Sequence, residues 1–246
     1  MIKEVRNRIK KLFASFTLLS LGVVILLITF GGALLAFLFI ARMIFKDDKR
    51  GFDDEAFKFL SGFVSDVNTN VMEFFTFLGT HTFLIPVNFL LVAYFLFLKK
   101  HRWYSISIPV IALSSLLLMF SLKYIFRRDR PLTPLLQEAR GYSFPSGHAL
   151  ISFTFYGLLI YLVWLNVKSA GLKWLLTITL VLLIFVIGLS RVYLRVHYAS
   201  DVIAGYCIGC MWLLLSLWIL KRVEKFTKRK VAPAIETDTK SFIIND

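Results

Sequence analysis

Long, uncharged and mostly apolar segments dominate the chain. There are six of them, at residues 12–41, 74–98, 103–122, 141–167, 174–190 and 202–220. A helix that crosses a bilayer needs about 20 predominantly apolar residues. We therefore predict an all-α bundle of six transmembrane helices. The fifth segment is the shortest and reaches spanning length only if neighbouring polar residues lie at the membrane interface.

The composition agrees with a membrane protein. Hydrophobic residues make up 58% and aromatic residues 16% of the 246 residues, which is too apolar for a soluble domain of this size. The first apolar segment is too long for the core of a cleavable signal peptide, so we interpret it as a span. We find no repeat and no linker. One domain over residues 1–246 is predicted, with a basic N-terminus (1–11), a membrane core (12–220) and a polar tail (221–246).

The distribution of charge predicts the orientation in the membrane. Basic residues cluster within 3–11, 99–102, 168–173 and 221–230, and the positive-inside rule places these clusters, and both termini, in the cytoplasm. The net charge of +14 is thereby explained without nucleic acid as a partner. From the compact chain we expect a bacterial inner, or plasma, membrane. The sequence identifies no protein partner.

The loop after the first span is predicted to lie outside. Residues 46–73 hold seven acidic and four basic side chains. The same loop carries an apolar stripe at helical spacing, formed by Phe52, Ala56, Phe59, Leu60 and Phe63. Such a stripe beside charged residues predicts a short helix on the outer surface of the membrane.

Two further outer segments, 124–145 and 191–201, carry bases where the charge rule predicts few. Their arginines are Arg127, Arg128, Arg130, Arg140, Arg191 and Arg195. An anionic ligand would explain them. For Arg127, Arg128, Arg140 and Arg195 we favour the simpler interpretation that they face water or anionic lipid, and contact with a headgroup or second phosphate is the alternative.

Three short motifs lie within or directly beside these outer segments. Lys123 is followed after six residues by Arg130 and Pro131, residues 145–148 read Pro-Ser-Gly-His, and Ser190-Arg191 is followed by His197 and Asp201. The chain thus resembles the type 2 phosphatidic acid phosphatase family, whose signatures are K-x6-R-P, P-S-G-H and S-R-x5-H-x3-D. Every defining position is present, in order, and the resemblance extends over residues 74–220. It implies a six-span membrane phosphatase.

The third motif predicts a nucleophile. His197 and Asp201 are four residues apart, so they share a helix face if the sixth helix begins near His197. The carboxylate then accepts the proton of one ring nitrogen, and the other nitrogen is free to attack phosphorus and form a phosphohistidine. His148 is left to protonate the leaving oxygen and later to activate water. The family resemblance implies the same roles for His197, Asp201 and His148.

The remaining motif residues suit a phosphate. Lys123, Arg130 and Arg191 offer charge-assisted hydrogen bonds. Ser146 and Gly147 lie where the fourth span begins, so free backbone N–H groups and the helix dipole are available to the anion. No carboxylate cluster for magnesium accompanies them, and we predict a reaction without metal or other cofactor.

The favoured hypothesis is a phosphatase or diphosphatase whose substrate tail stays in the bilayer. Candidate substrates are undecaprenyl diphosphate, phosphatidylglycerophosphate, phosphatidic acid and the phosphates of lipid A, and the motifs do not select among them. The alternatives are a lipid phosphotransferase and a catalytically silent scaffold or transporter. Gly205 and Gly209, four residues apart in the sixth span, are predicted to serve helix packing.

Overall fold

The computed structural model describes residues 2–47, 51–132, 134–135 and 141–231. Within these ranges the chain is helical, with no strand. The elements are α1 (Ile2–Phe45), α2 (Gly51–Ser61), α3 (Asp66–Leu78), α4 (His81–Ala93), α5 (Arg102–Phe126), α6 (Gly147–Asn166), α7 (Ala170–Tyr193) and α8 (Ala199–Phe226). Single π-helical turns extend α4 through Tyr94–Leu98 and α8 through Thr227–Val231.

Six helical segments of the described chain are long and apolar enough to cross a bilayer. They are Leu21–Phe45, His81–Leu98, Arg102–Phe126, Gly147–Asn166, Ala170–Tyr193 and Ala199–Arg229. The predicted all-α bundle of six spans is thereby confirmed. The fifth span is longer than its apolar run because α7 continues past Lys173 at one end and through Arg191 at the other.

Two spans begin later than predicted. The run 74–98 is interrupted at Gly79 and Thr80, where α3 ends and the chain turns into α4. Residues 74–78 therefore belong to an additional helix, α3. In the run 141–167 the helix begins only at Gly147, because Ser146 has an extended backbone and caps α6 through its hydroxyl. Such a break cannot be detected from hydropathy, which does not distinguish a helix from an apolar loop.

The short helix expected in the outer loop is present as α2. Phe59 is 69% exposed, and Phe52 and Phe63 are also exposed, which suits a helix at a membrane interface. Ala56 and Leu60 instead pack against the protein, near Val192 and Val202. The apolar stripe is thus divided between the two environments.

The sixth span approaches the fourth closely through its glycines. A Cβ atom built on Gly205 would lie 2.7 Å from the backbone oxygen of Ser146, and one on Gly209 would lie 2.8 Å from that of Leu150. Since backbone atoms cannot yield as a flexible side chain does, both positions require glycine. The packing role predicted for them is confirmed.

Gly205→Ala is therefore expected to lower the free energy of unfolding by about 1–3 kcal/mol, as overpacking does elsewhere. The matched control is Gly32→Ala in α1, where a new methyl group would meet no atom within 4 Å. Thermal unfolding in detergent compares the two variants. Equal melting temperatures would show that α6 and α8 do not approach as described.

Candidate active site

The three motifs meet at one end of the bundle. Lys123 lies in the last turn of α5, His148 in the first turn of α6 and Arg191 in the last turn of α7. His197 precedes α8, whose first turn contains Asp201. Lys123, Arg130, Arg191 and His197 are all close enough to His148 to interact with it electrostatically. The motif residues predicted from sequence are thus brought together.

His197 contacts Asp201 both directly and through Ser143. The Nδ1 atom of His197 lies 3.4 Å from Oδ2 of Asp201 and 3.2 Å from Oγ of Ser143. The Ser143 hydroxyl donates its proton to the same Asp201 oxygen, so its oxygen is left to accept from Nδ1–H. This arrangement favours a proton on Nδ1 and a bare Nε2. Ser143 was not predicted, since no signature marks it.

The geometry of this pair differs from the sequence prediction. His197 lies two residues before α8 begins, so it does not share a helix face with Asp201. Instead, Asp201 caps the start of α8 by accepting the backbone N–H of Tyr198 at 3.1 Å. This capping turn folds the carboxylate back toward His197.

His197 is held in its neutral form. The residue is 2% exposed, and burial lowers its pKa to about 3 despite the opposing hydrogen bond and charge of Asp201. The positive charges of Arg191 and Lys123 act in the same direction as burial. An imidazole with this pKa is unprotonated at neutral pH, as a nucleophile must be.

Arg191 is fixed by a chain of hydroxyl groups. Its Nη1 donates to Oγ1 of Thr76 at 2.9 Å, Thr76 contacts Oγ of Ser190 at 2.8 Å, and Ser190 donates to the backbone oxygen of Ile187 at 2.7 Å. Because the Ser190 proton goes to Ile187, Thr76 donates to Ser190 and accepts from Arg191. Thr76 lies in α3, and no sequence signal identified it.

Unpaired buried atoms concentrate at this site. Four buried polar side-chain atoms have no hydrogen-bond partner within the described residues, and three of them are His148 Nε2, Ser152 Oγ and Arg191 Nε. Gly79 lets the backbone pass close to two of these side chains, because a Cβ atom there would lie 3.0 Å from Ser152 Oγ and 3.1 Å from His148 Cδ2. Unpaired buried donors and acceptors are costly, and a bound polar ligand would satisfy them.

Arg130 and Lys123 are positioned by backbone carbonyls. Arg130 donates to Gly141 at 2.8 Å and to Val196 at 2.7 Å, and its Nη1 lies 3.4 Å from Nε2 of His197. Burial lowers the pKa of Arg130, against the charge of Asp201. Lys123 donates to the carbonyl of Tyr142. Arg130 therefore lies beside the unprotonated nitrogen of His197. The ammonium group of Lys123 is held by the loop that carries Tyr142 and Ser143.

The start of α6 differs in one respect from the prediction. The backbone N–H of Ser146 is not free, because it donates to the backbone oxygen of Asp201 at 3.0 Å. Among the described residues, no acceptor pairs with the backbone N–H groups of Gly147 and His148. The backbone N–H groups left without an acceptor at this helix end are therefore those of Gly147 and His148, and Ser146 joins α6 to α8.

The other arginines of the two segments 124–145 and 191–201 do not behave alike. We predicted that Arg128 faces water or lipid, and this prediction is wrong. Arg128 pairs with Asp53 and Asp201 at 2.8 and 2.6 Å. Burial opposes its charge, yet these two carboxylates hold the pKa of Arg128 above its usual value. Arg127 is exposed and stacks on Tyr124. Arg195 is half-buried, and Arg140 lies outside the described residues.

Known proteins are similar to this chain in sequence and architecture. The profile of the PAP2 superfamily matches residues 104–225. Phosphatidylglycerophosphatase B of Bacillus subtilis is 31% identical over 65% of this chain and 78% of its own length. Undecaprenyl-diphosphatase of Sulfolobus acidocaldarius is 31% identical over 76% of this chain and 90% of its own length. The crystal structure of a transmembrane PAP2-type phosphatidylglycerolphosphate phosphatase from Bacillus subtilis superimposes with a TM-score of 0.73 at 26% identity, covering 81% of this chain and 99% of that one.

Taken with the fold and the converging motifs, these matches define the class of the protein. The chain belongs to the PAP2 superfamily. It is a multi-pass membrane enzyme, a lipid phosphatase of the PAP2 type.

Proposed function

We propose that the protein hydrolyses a phosphomonoester or diphosphate of a membrane lipid through a phosphohistidine on Nε2 of His197. The observation that carries the proposal is the proton arrangement around His197. Ser143 and Asp201 hold the proton on Nδ1, and Nε2 faces a cation, Arg130, at 3.4 Å. A bare imidazole nitrogen beside a guanidinium suits attack on an anionic phosphoryl group.

The reaction has two steps. First, Nε2 of His197 attacks phosphorus while the bond from phosphorus to the lipid oxygen breaks, and His148 gives a proton to that oxygen. The negative charge of the bound phosphate favours the protonated form of His148 needed here. Then His148 takes a proton from water, the oxygen of which attacks phosphorus and displaces His197, and inorganic phosphate leaves. Asp201 stabilises the charge that His197 acquires.

The phosphate is bound by cations and backbone amides. Lys123, Arg130 and Arg191 supply positive charge, and the N–H groups of Gly147 and His148 supply neutral donors at a helix N-terminus. Phosphoryl transfer spreads negative charge over three equatorial oxygens, so these donors stabilise the transition state. Since three cationic side chains already neutralise the anion, we propose that the reaction needs no metal ion.

The substrate is proposed to be one of a few lipids. The relatives named above act, by their names, on phosphatidylglycerophosphate and undecaprenyl diphosphate, and a lipid A 4'-phosphatase of Bacteroides thetaiotaomicron is 36% identical over 40% of this chain. Phosphatidic acid remains a further candidate. We place the site at the outer face of the inner or plasma membrane, with both termini in the cytoplasm, because the basic clusters lie at the opposite helix ends.

The test is phosphate release in detergent from each of these lipids, with and without EDTA. We expect one or more lipids to be hydrolysed at rates that EDTA leaves unchanged, and the lipid with the highest kcat/KM is the substrate we assign. Lack of hydrolysis of every lipid would overturn the proposed function. Loss of activity in EDTA that magnesium restores would overturn the mechanism without metal.

A further inference from the structure

A buried carboxylate lies outside the three motifs. Asp53 is on α2, at the surface of the protein, yet it is fully buried. Its oxygens accept the backbone N–H of Ser200 at 2.8 Å, the Ser200 hydroxyl at 2.7 Å and Nη2 of Arg128 at 2.8 Å. A buried carboxylate is costly unless it is fully paired. The side chain is therefore held in a specific arrangement and does not merely make the surface of α2 polar.

Arg128 joins this carboxylate to the active site. While Nη2 contacts Asp53, Nη1 donates to Oδ1 of Asp201 at 2.6 Å and to the Ser200 hydroxyl at 2.8 Å. The guanidinium also lies over the ring of Tyr198, 4.0 Å from its centre. Two ends of one planar group are thus fixed by two carboxylates, a geometry that a lysine side chain cannot reproduce.

The two oxygens of Asp201 have different partners. Oδ1 accepts from Arg128, whereas Oδ2 accepts from Ser143 and from the backbone of Tyr198 and faces Nδ1 of His197. The bond to Arg128 therefore determines which oxygen is presented to His197. Two carboxylates and one guanidinium leave a net charge of about −1 to stabilise the imidazolium.

We propose that Asp53 and Arg128 are positioning residues of the active site, which orient Asp201 and preserve its negative charge toward His197. The proposal rests on the role proposed above for His197. Neither residue contacts the reacting atoms. The outer helix α2 then contributes to catalysis, although the PAP2 profile begins only at residue 104.

The proposal predicts a specific kinetic signature. Asp53→Asn keeps the shape of the side chain but leaves Arg128 with one carboxylate, so Asp201 is neutralised within an ion pair. We expect kcat to fall about 10- to 100-fold, the loss found when the hydrogen-bonding partner of a metal-binding histidine is altered. KM should stay within about twofold, because the phosphate-binding side chains are untouched.

A double variant separates this effect from a general loss of structure. Asp53→Asn combined with Arg128→Gln removes one charge of each sign and restores the net charge at Asp201, and the glutamine amide keeps an N–H donor for Oδ1 of Asp201. We expect the double variant to have a higher kcat than Asp53→Asn alone, although two native contacts are lost. The matched control is Asp54→Asn, the same change at an exposed neighbour in α2, for which kcat should equal that of the wild type.

The measurement is kcat and KM on the best lipid, in variants that melt well above the assay temperature. An unchanged kcat in Asp53→Asn, a change confined to KM, or a double variant slower than the single one would overturn the proposal. If Asp53→Asn does not fold, Arg128→Lys is measured in its place, and an unchanged kcat in that variant would likewise overturn the proposal. Failure of the proposed function is distinguishable, because it would appear as no hydrolysis of any lipid by the wild type, and failure of the role of His197 would appear as near wild-type activity in His197→Ala.

Discussion

His197→Ala is expected to abolish hydrolysis of lipid phosphate, with a loss in kcat of at least about 10⁴-fold. The reason is that Nε2 of His197 forms the bond to phosphorus, and no other neutral nitrogen of the described site has a partner that fixes its proton in the same way. Phosphate release from the preferred lipid measures the effect. A buried water cannot replace the covalent step at a comparable rate.

Folding must be separated from chemistry in this test. His197→Gln retains much of the volume and polarity of the imidazole but has no nucleophilic nitrogen, so it should be as inactive as the alanine variant while melting closer to the wild type. His81, exposed at the start of α4, provides the control, and His81→Ala should keep full activity. Activity within about tenfold of wild type in both His197 variants would exclude the proposed nucleophile.

Arg191→Lys is expected to give the second largest effect, a loss in kcat/KM of about 10²- to 10³-fold. Arg191 is 5% exposed, with Nη1 held by Thr76 and Nε left unpaired. Lysine keeps the charge but cannot bind Thr76 and a phosphate oxygen with two fixed donors at once. If the unpaired Nε contacts the transferring phosphoryl group, much of the loss will appear in kcat.

The exposed Arg127 makes the matched control. Among the described residues its side chain hydrogen-bonds to and stacks on Tyr124 alone, so Arg127→Lys should leave kcat/KM unchanged. Steady-state kinetics on the same lipid compares the two conservative changes. Equal activity of Arg191→Lys and Arg127→Lys would mean that the site needs only positive charge at Arg191, not its fixed geometry.

The sequence was sufficient for the spans and for the residues that meet at the site. Hydropathy depends on composition over long windows, so six spans could be predicted although individual helix limits were off by several residues. The motif residues were also predictable, because Lys123, His148 and His197 belong to signatures with fixed spacing. Their proximity follows from helix ends that share one side of the bundle.

What the sequence did not predict are the contacts between distant segments. Asp53 lies in α2, Thr76 in α3 and Ser143 in the loop before α6. None of the three has a characteristic spacing from its partner. Arg128 was expected to face water or lipid, and its partner Asp53 lies 75 residues earlier in the chain, outside the three motifs. Hydrogen-bond partners across such separations depend on tertiary packing.

The role of His197 is tested most directly by trapping its phosphorylated form. His148→Ala should slow the attack of water, and radiolabelled p-nitrophenyl phosphate has a leaving group that needs no proton, so the label should accumulate on the protein. We expect one label per chain, stable in alkali and released by acid, as a phosphorus–nitrogen bond requires, and absent when His197→Ala is added. No accumulated label, or a label that persists without His197, would contradict a phosphohistidine at this position.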